Sequence, residues 1–164
     1  MTPLQWTANL LGWPLIQLAA SFIMLHLPAE RFARETWLTA PRHWESNGRI
    51  YRKFLRIQKW KSMLPDGARW LGGFAKGSFK QLDAAYIERF LLETRRAEWT
   101  HWCVLCCFPA FLPWNPTWAR MVMVAYAVAA NLPCILAQRY NRIALGRIAQ
   151  LQRRTSVADD PHRK

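Results

Sequence analysis

The chain has 164 residues and a net charge of +13, a length that fits one domain. A mean hydropathy of −0.12 alone would describe a soluble basic protein, and 10 Trp beside so many cations would suit stacking on nucleic acid. The distribution argues against that class: apolar residues are blocked and cations segregated, the pattern of a membrane protein that binds no nucleic acid.

In chain order, Trp6 to Leu27 contains no Asp, Glu, Lys or Arg. As a helix it reaches roughly 33 Å, enough to cross the hydrocarbon core. It lacks a basic start and a small-residue cleavage site before Pro28, so it reads as a retained span and not a secretory signal. Pro28-Ala29-Glu30-Arg31-Phe32 reads as a helix start with Pro in its first turn. Trp37 to Gly48 is less regular, broken by Pro41 and Asn47-Gly48. Arg49 to Lys61 interleaves basic with aromatic and aliphatic residues and reads as one amphipathic helix in the cytoplasmic interface. Pro65-Asp66-Gly67 is a turn by composition. Leu71 to Lys80, with Gly72, Gly73 and Gly77, reads as a loop without the Lys-Ser/Thr ending of a phosphate-binding loop.

Asp83 is placed to cap a helix from Ala84. That helix runs into an apolar stretch from Trp99 to Trp114, whose roughly 24 Å is short for a full span. It crosses with local thinning or pairs tightly with the next helix. Pro113-Trp114-Asn115-Pro116 reverses the chain. Trp118 to Gln138 is the next long apolar run, its helix continuing to about Gln152, with a polar tail from Thr155 predicted to be disordered. No strand alternation or internal repeat is present. The expected fold is all-α and polytopic, one membrane-embedded domain over 1–154. It has about three membrane helices (6–27, 99–114, 118–138), a basic loop over 28–98 and one interfacial amphipathic helix.

Charge sets the expected orientation. No Lys or Arg precedes the first span, fifteen lie between Pro28 and Glu98, and seven follow from Arg139. The positive-inside rule then puts the N-terminus outside, the large loop and the C-terminus in the cytoplasm, and the turn near Asn115 outside the cell membrane. Trp6, Trp13, Trp99, Trp102, Trp114 and Trp118 sit near the ends of apolar runs, as an interfacial belt requires. Cys103, Cys106, Cys107 and Cys134 all lie in apolar runs and read as packing residues. No metal site is expected: Glu98-x-x-His101 occurs once, whereas a di-iron bundle needs two copies and further glutamates.

The polar residues at the membrane boundary carry the functional reading, because charge there is costly. On a helical wheel with Glu93 at zero, His101 falls near roughly 80° and Glu98 near roughly 140°. Either carboxylate could orient the imidazole, leaving it as a base for a hydroxyl proton; an interfacial His with solvated carboxylates is the alternative. Asn131, Gln138 and Arg142 fall within about 40° of one another on the following helix. If the two helices pair antiparallel, Gln138–Arg142 comes level with Glu98–His101 and Asn131 lies roughly 10 Å deeper. Asn131 and Gln138 are then candidate oxyanion or acceptor ligands. Arg95, Arg96, Arg139 and Arg142 are candidate phosphate contacts, supported by Lys59, Trp60 and Lys61.

These strings carry a resemblance. Lys59-Trp60-Lys61 with Asp66-Gly67, Glu93-Thr94 through Arg96-Ala97-Glu98 and His101-Trp102, and Ala130-Asn131 with Pro133 and Gln138-Arg139-Tyr140-Asn141-Arg142 resemble the glycosyl-4,4'-diaponeurosporenoate acyltransferase family. These are small membrane enzymes of staphyloxanthin-type carotenoid biosynthesis. The resemblance runs from about Glu45 to Leu145; the Leu71–Gly77 region and the Trp-rich turn look particular to this chain. It implies transfer of a fatty acyl group to a sugar hydroxyl of a carotenoid glycoside. The His-x-x-x-x-Asp motif of glycerolipid acyltransferases is absent.

The resulting expectation is a membrane O-acyltransferase with no cofactor. An acyl-CoA or acyl-carrier thioester is the co-substrate, a lipid-embedded glycoside the acceptor, and membrane lipids and other enzymes of its pathway its surroundings. Two other readings stay open: a non-catalytic membrane subunit that binds a partner enzyme, and a small transferase or reductase using another nucleotide cofactor on the Asn/Arg face.

Overall fold

A computed structural model describes residues 1–64 and 83–158, with side chains of the last helix described as far as Leu151. The expected Pro65–Gly67 turn, the glycine-rich loop and the chain end from 159 lie outside the described residues. Helix α1 spans Pro3–His26. The short helices α2 (Glu30–Ala33), α3 (Arg49–Lys53) and α4 (Ile57–Trp60) follow, with a 3-10 turn at His43–Gly48. Helix α5 is Ala84–Cys106, and α6 runs from Thr117 to Ala158. There are no strands among the described residues.

Local chemistry explains the helix starts. Thr2 and Gln5 form a reciprocal capping box on α1, with Pro3 at the first helical position. Asp83 caps α5 as its sequence position predicts, accepting from the Tyr86 amide at 2.6 Å.

α1 and α6 are long and apolar enough to cross a bilayer. Only 11% of the apolar window in α1 and 22% of that in α6 is buried within the protein, so neither is the core helix of a soluble domain. Leu4, Leu10, Leu15, Leu18 and Phe22 on α1, and Trp118, Met121, Val122 and Tyr126 on α6, face outward. Apolar surface on that scale calls for lipid or a partner.

Three expectations need correction. The stretch from Trp99 to Trp114 is not one helix: α5 stops at Cys106 and a 3-10 turn over Phe108–Phe111 follows. Pro109 lacks the N–H that a continuing helix requires. The amphipathic segment Arg49–Lys61 is two short helices broken at Arg56, which is left-handed at φ 46°. The break turns Tyr51 and Ile57 inward, both fully buried against Ala137 and Tyr140 of α6. The last helix also continues past Gln152 to Ala158.

Packing forms two apolar clusters with polar residues between them. Near the 113–117 turn, Trp13 stacks on Phe111 at 4.6 Å beside Val104 and Ala127. Gly12 permits that approach, since a Cβ there would meet the Phe111 ring at 2.8 Å. At the other end lies the Tyr51–Ile57–Ala137–Tyr140 cluster. Beyond the first cluster, Asn9 and Asn115 exchange amide hydrogen bonds at 2.7 and 2.9 Å, and Trp114 Nε1 donates to Asn9 at 3.0 Å. This pins the start of α1 to the turn, so the N-terminus and the turn share one end of the molecule.

Candidate active site

The polar layer between the clusters is built on α5, α6 and the irregular segment before α3. Arg139 lies at its centre. Its five N–H groups make five hydrogen bonds: to Glu45 at 2.8 and 3.1 Å, to Glu98 at 2.8 Å, and to the carbonyls of Leu38 and Ala40 at 2.8 and 3.0 Å. The other Glu98 oxygen accepts from Arg142 Nη2 at 2.5 Å, and the same nitrogen reaches Thr39 O at 2.6 Å. Glu45 and Glu98 are each within 1% of complete burial. Two carboxylates thus compensate two guanidinium groups where no water screens them.

Glu45 reaches this layer because the chain reverses sharply after it. Ser46, Asn47 and Gly48 all have positive φ, a conformation that suits Gly and Asn and is costly for other residues. Burial alone would raise the Glu45 carboxyl, but hydrogen bonds from Arg139, Tyr51 and the Arg42 amide outweigh it and hold its pKa below the usual value. Burial, together with the Glu45 carboxylate, pushes the Tyr51 phenol up against the opposing pull of Arg139.

Deeper toward the apolar end, His101 Nδ1 lies 3.0 Å from Asn131 Oδ1. The Asn131 amide nitrogen donates to Ala127 O at 2.9 Å, so its oxygen faces the ring. An amide oxygen accepts, so Nδ1 is the donor in this contact, which in the neutral ring makes Nε2 the acceptor nitrogen. Asn131 is 1% exposed, and the pair bridges α5 to α6.

The family model for glycosyl-4,4'-diaponeurosporenoate acyltransferase matches residues 34–151, a range that contains every group just described. The chain belongs to this acyltransferase family. It is 34% identical over 144 residues to the glycosyl-4,4'-diaponeurosporenoate acyltransferase of Staphylococcus haemolyticus, covering 85% of this chain and 82% of that protein. It is 26% identical over 149 residues to the proteins of that name from Staphylococcus aureus strains bovine RF122 and USA300, covering 90% of each chain. No solved structure matches it.

The acyltransferase fold brings some expected site residues together and separates others. His101 and Asn131 meet, at one level and not with Asn131 a further turn or two deeper. Glu98 is level with Arg139 and Arg142 as expected, but its oxygens are held by those arginines, with Trp102 Nε1 at 3.4 Å. Glu93 turns to Arg96 at 2.8 Å and Arg89 at 3.0 Å. The group oriented on His101 Nδ1 is thus an amide. Gln138 is half-buried on α6. Arg139 has no N–H left for a phosphate. Arg95 donates to the carbonyls of Phe32 and Ala33 and pairs with Glu35 at 3.6 Å. Arg96 lies over the Phe32 ring at 5.1 Å.

Lys59 is exposed. Trp60 Nε1 bonds Leu55 O, and Lys61 bonds Asn141 at 3.0 Å while lying over the Tyr140 ring at 5.0 Å. Burial pulls the Lys61 ammonium below its usual range. These two residues brace the basic segment against α6. Among the described residues no group of three His, Cys, Asp or Glu side chains is arranged for a metal.

Sequence reasoning missed Glu45, Thr39, Tyr51, Asn9 and Asn115. Asn9 offered a signal, being an amide inside a charge-free apolar run; such a group must find a partner. Glu45 offered a weaker one: the arginines at the boundary outnumber the nearby acids, so another carboxylate must come from elsewhere.

Proposed function

We propose that this acyltransferase moves a fatty acyl group from a thioester donor to a sugar hydroxyl of a membrane-embedded carotenoid glycoside, the acceptor being of the kind named for its relatives. The observation that carries the reading is the buried His101–Asn131 pair inside the family-matched region. Nε2 of His101 takes the hydroxyl proton as the sugar oxygen attacks the thioester carbonyl carbon. The C–S bond breaks, the thiolate leaves, and the proton held on the imidazole passes to sulfur. Asn131 keeps the ring in the reactive tautomer, and Gln138 on α6 is the proposed donor to the developing oxyanion. Glu45, Glu98 and Arg139 hold α5, α6 and the irregular segment in register around the base.

The purified full chain in lipid vesicles, given a radiolabelled acyl-CoA or acyl-carrier thioester and a carotenoid glycoside, should form a labelled ester that requires both substrates. No product with any thioester would remove the donor assignment.

The protein is placed in the cell membrane with its N-terminus and the 113–117 turn outside and the basic residues inside. The basic cap, with Phe54 and Met63 exposed beside Arg52, Lys53 and Lys59, then faces anionic headgroups. Asn115 is buried and bonded to Asn9, so the neighbouring exposed Thr117 is the better probe. Thr117→Cys in intact cells should be labelled by an impermeant thiol reagent. Labelling only after lysis would invert the topology.

A further inference from the structure

The polar layer holds more guanidinium than its carboxylates use. Among the described residues, Nε of Arg95, Nε of Arg96, and both Nε and Nη1 of Arg142 are buried without a hydrogen-bond partner. Arg142 is 3% exposed and Arg96 8%. Buried N–H groups nearly always find acceptors, and a guanidinium donates at every nitrogen. The unused positions therefore mark where an acceptor belongs.

These arginines converge on one segment. Arg142 bonds Thr39 O, Arg95 bonds the carbonyls of Phe32 and Ala33, and Arg96 lies on the Phe32 ring. Arg95 and Arg142 are close enough to repel. Burial pulls the Arg95 guanidinium below its usual range, Glu35 opposes that shift, and the Arg142 charge adds to it.

The charge count defines what fits. Arg95, Arg96, Arg139 and Arg142 supply four cations to the layer, and Glu45, Glu93 and Glu98 supply three anions. Glu35, the outer partner of Arg95, is 47% exposed. One positive charge is left over, together with donors on the edges of planar forks. A dianion would overcompensate it, and a neutral sugar would leave it unpaired. A monoanion with several acceptor oxygens matches both the charge and the donors.

We propose that Arg142 and Arg95, with Arg96 beside them, bind a single phosphodiester carried by the acyl donor. The inference rests on the donor reading above and narrows it. Arg139 takes no part, and the site lies about one to two helical turns from His101 along α5. Two donors carry such a group: a pantetheine arm esterified through phosphate, and a membrane phospholipid.

The test uses the full chain in dodecyl maltoside, with two pairs of probes. One pair is the methyl ester of 4'-phosphopantetheine, a phosphodiester, against pantetheine. The other is phosphatidylglycerol against diacylglycerol. At least one phosphodiester probe should bind wild type about tenfold or more tighter than its phosphate-free counterpart. That advantage should fall to about threefold or less in Arg142→Gln and Arg95→Gln. An advantage for the pantetheine probe supports both the site and the thioester donor. An advantage confined to phosphatidylglycerol supports the site and overturns the thioester. No advantage in wild type for either pair overturns the proposal, as does one that both variants keep in full. Should either variant fail to fold, Arg142→Lys, which keeps the charge and loses the planar fork, takes its place and should lower the advantage in the same way.

Discussion

Replacing His101 with Ala should lower turnover by about 10²–10⁴-fold while leaving the fold intact. The side chain is half-buried, and its Nδ1 meets the Asn131 amide oxygen. The loss is that of the proton acceptor. Asn131 supplies the control. Asn131→Leu removes the group that holds the tautomer, so it should also impair turnover, by less than loss of the base. Asn131→Asp keeps an acceptor oxygen on Nδ1 and should retain more activity than Leu. Initial rates of ester formation, with far-UV helicity measured alongside, decide the matter. Near-normal turnover in His101→Ala would leave the histidine a packing residue and end the base assignment.

Glu98→Gln should act on the fold first. The carboxylate is fully buried and shared between Arg139 and Arg142. A neutral amide in its place leaves guanidinium charge uncompensated where water cannot reach. Breaking a buried ion pair from one side costs about 3–5 kcal/mol, a large share of a typical domain's total stability. The variant should be recovered in low yield or lose its thermal transition in detergent. Glu93→Gln should be milder, because one of its partners, Arg89, is 52% exposed and water can take over part of its role. Melting of Glu98→Gln at the wild-type temperature with activity abolished would show that Glu98 acts in the chemistry instead.

Periodicity and charge made the two long helices legible. An apolar run of about twenty residues with at most one Asp, Glu, Lys or Arg has few alternatives, and α1 and α6 fall where such runs lie. The Asp83 cap and the levelling of Glu98 with Arg139 and Arg142 also follow from local rules and an antiparallel pair. The partners of each group were harder to read. Glu98 and Glu93 share a helix with His101, and a wheel reports only what lies on one cylinder. What draws Glu98 away is Arg139 on a second helix, and what completes Arg139 is Glu45 with the carbonyls of Leu38 and Ala40. Residues 34–48 have no period, and their inward fold depends on three successive left-handed residues. The break at Arg56 was hidden for a related reason: basic and aromatic residues there suit a helix, and burial of Tyr51 and Ile57 overrides that propensity.

The Asn9–Asn115 pair bears on the order in which the protein is made. The two amides lie 106 positions apart in the chain. Helix α1 is therefore made well before Asn115, and until Asn115 arrives the Asn9 amide lacks the partner it has in the folded protein, a costly state wherever water is excluded. The last hairpin relieves it by bringing Asn115 and the Trp114 indole alongside. Helix α1 is thus made before α5 and α6 but settles only with them. A chain in which the α5–α6 hairpin has not formed leaves α1 without its polar anchor, free to shift against the rest of the protein.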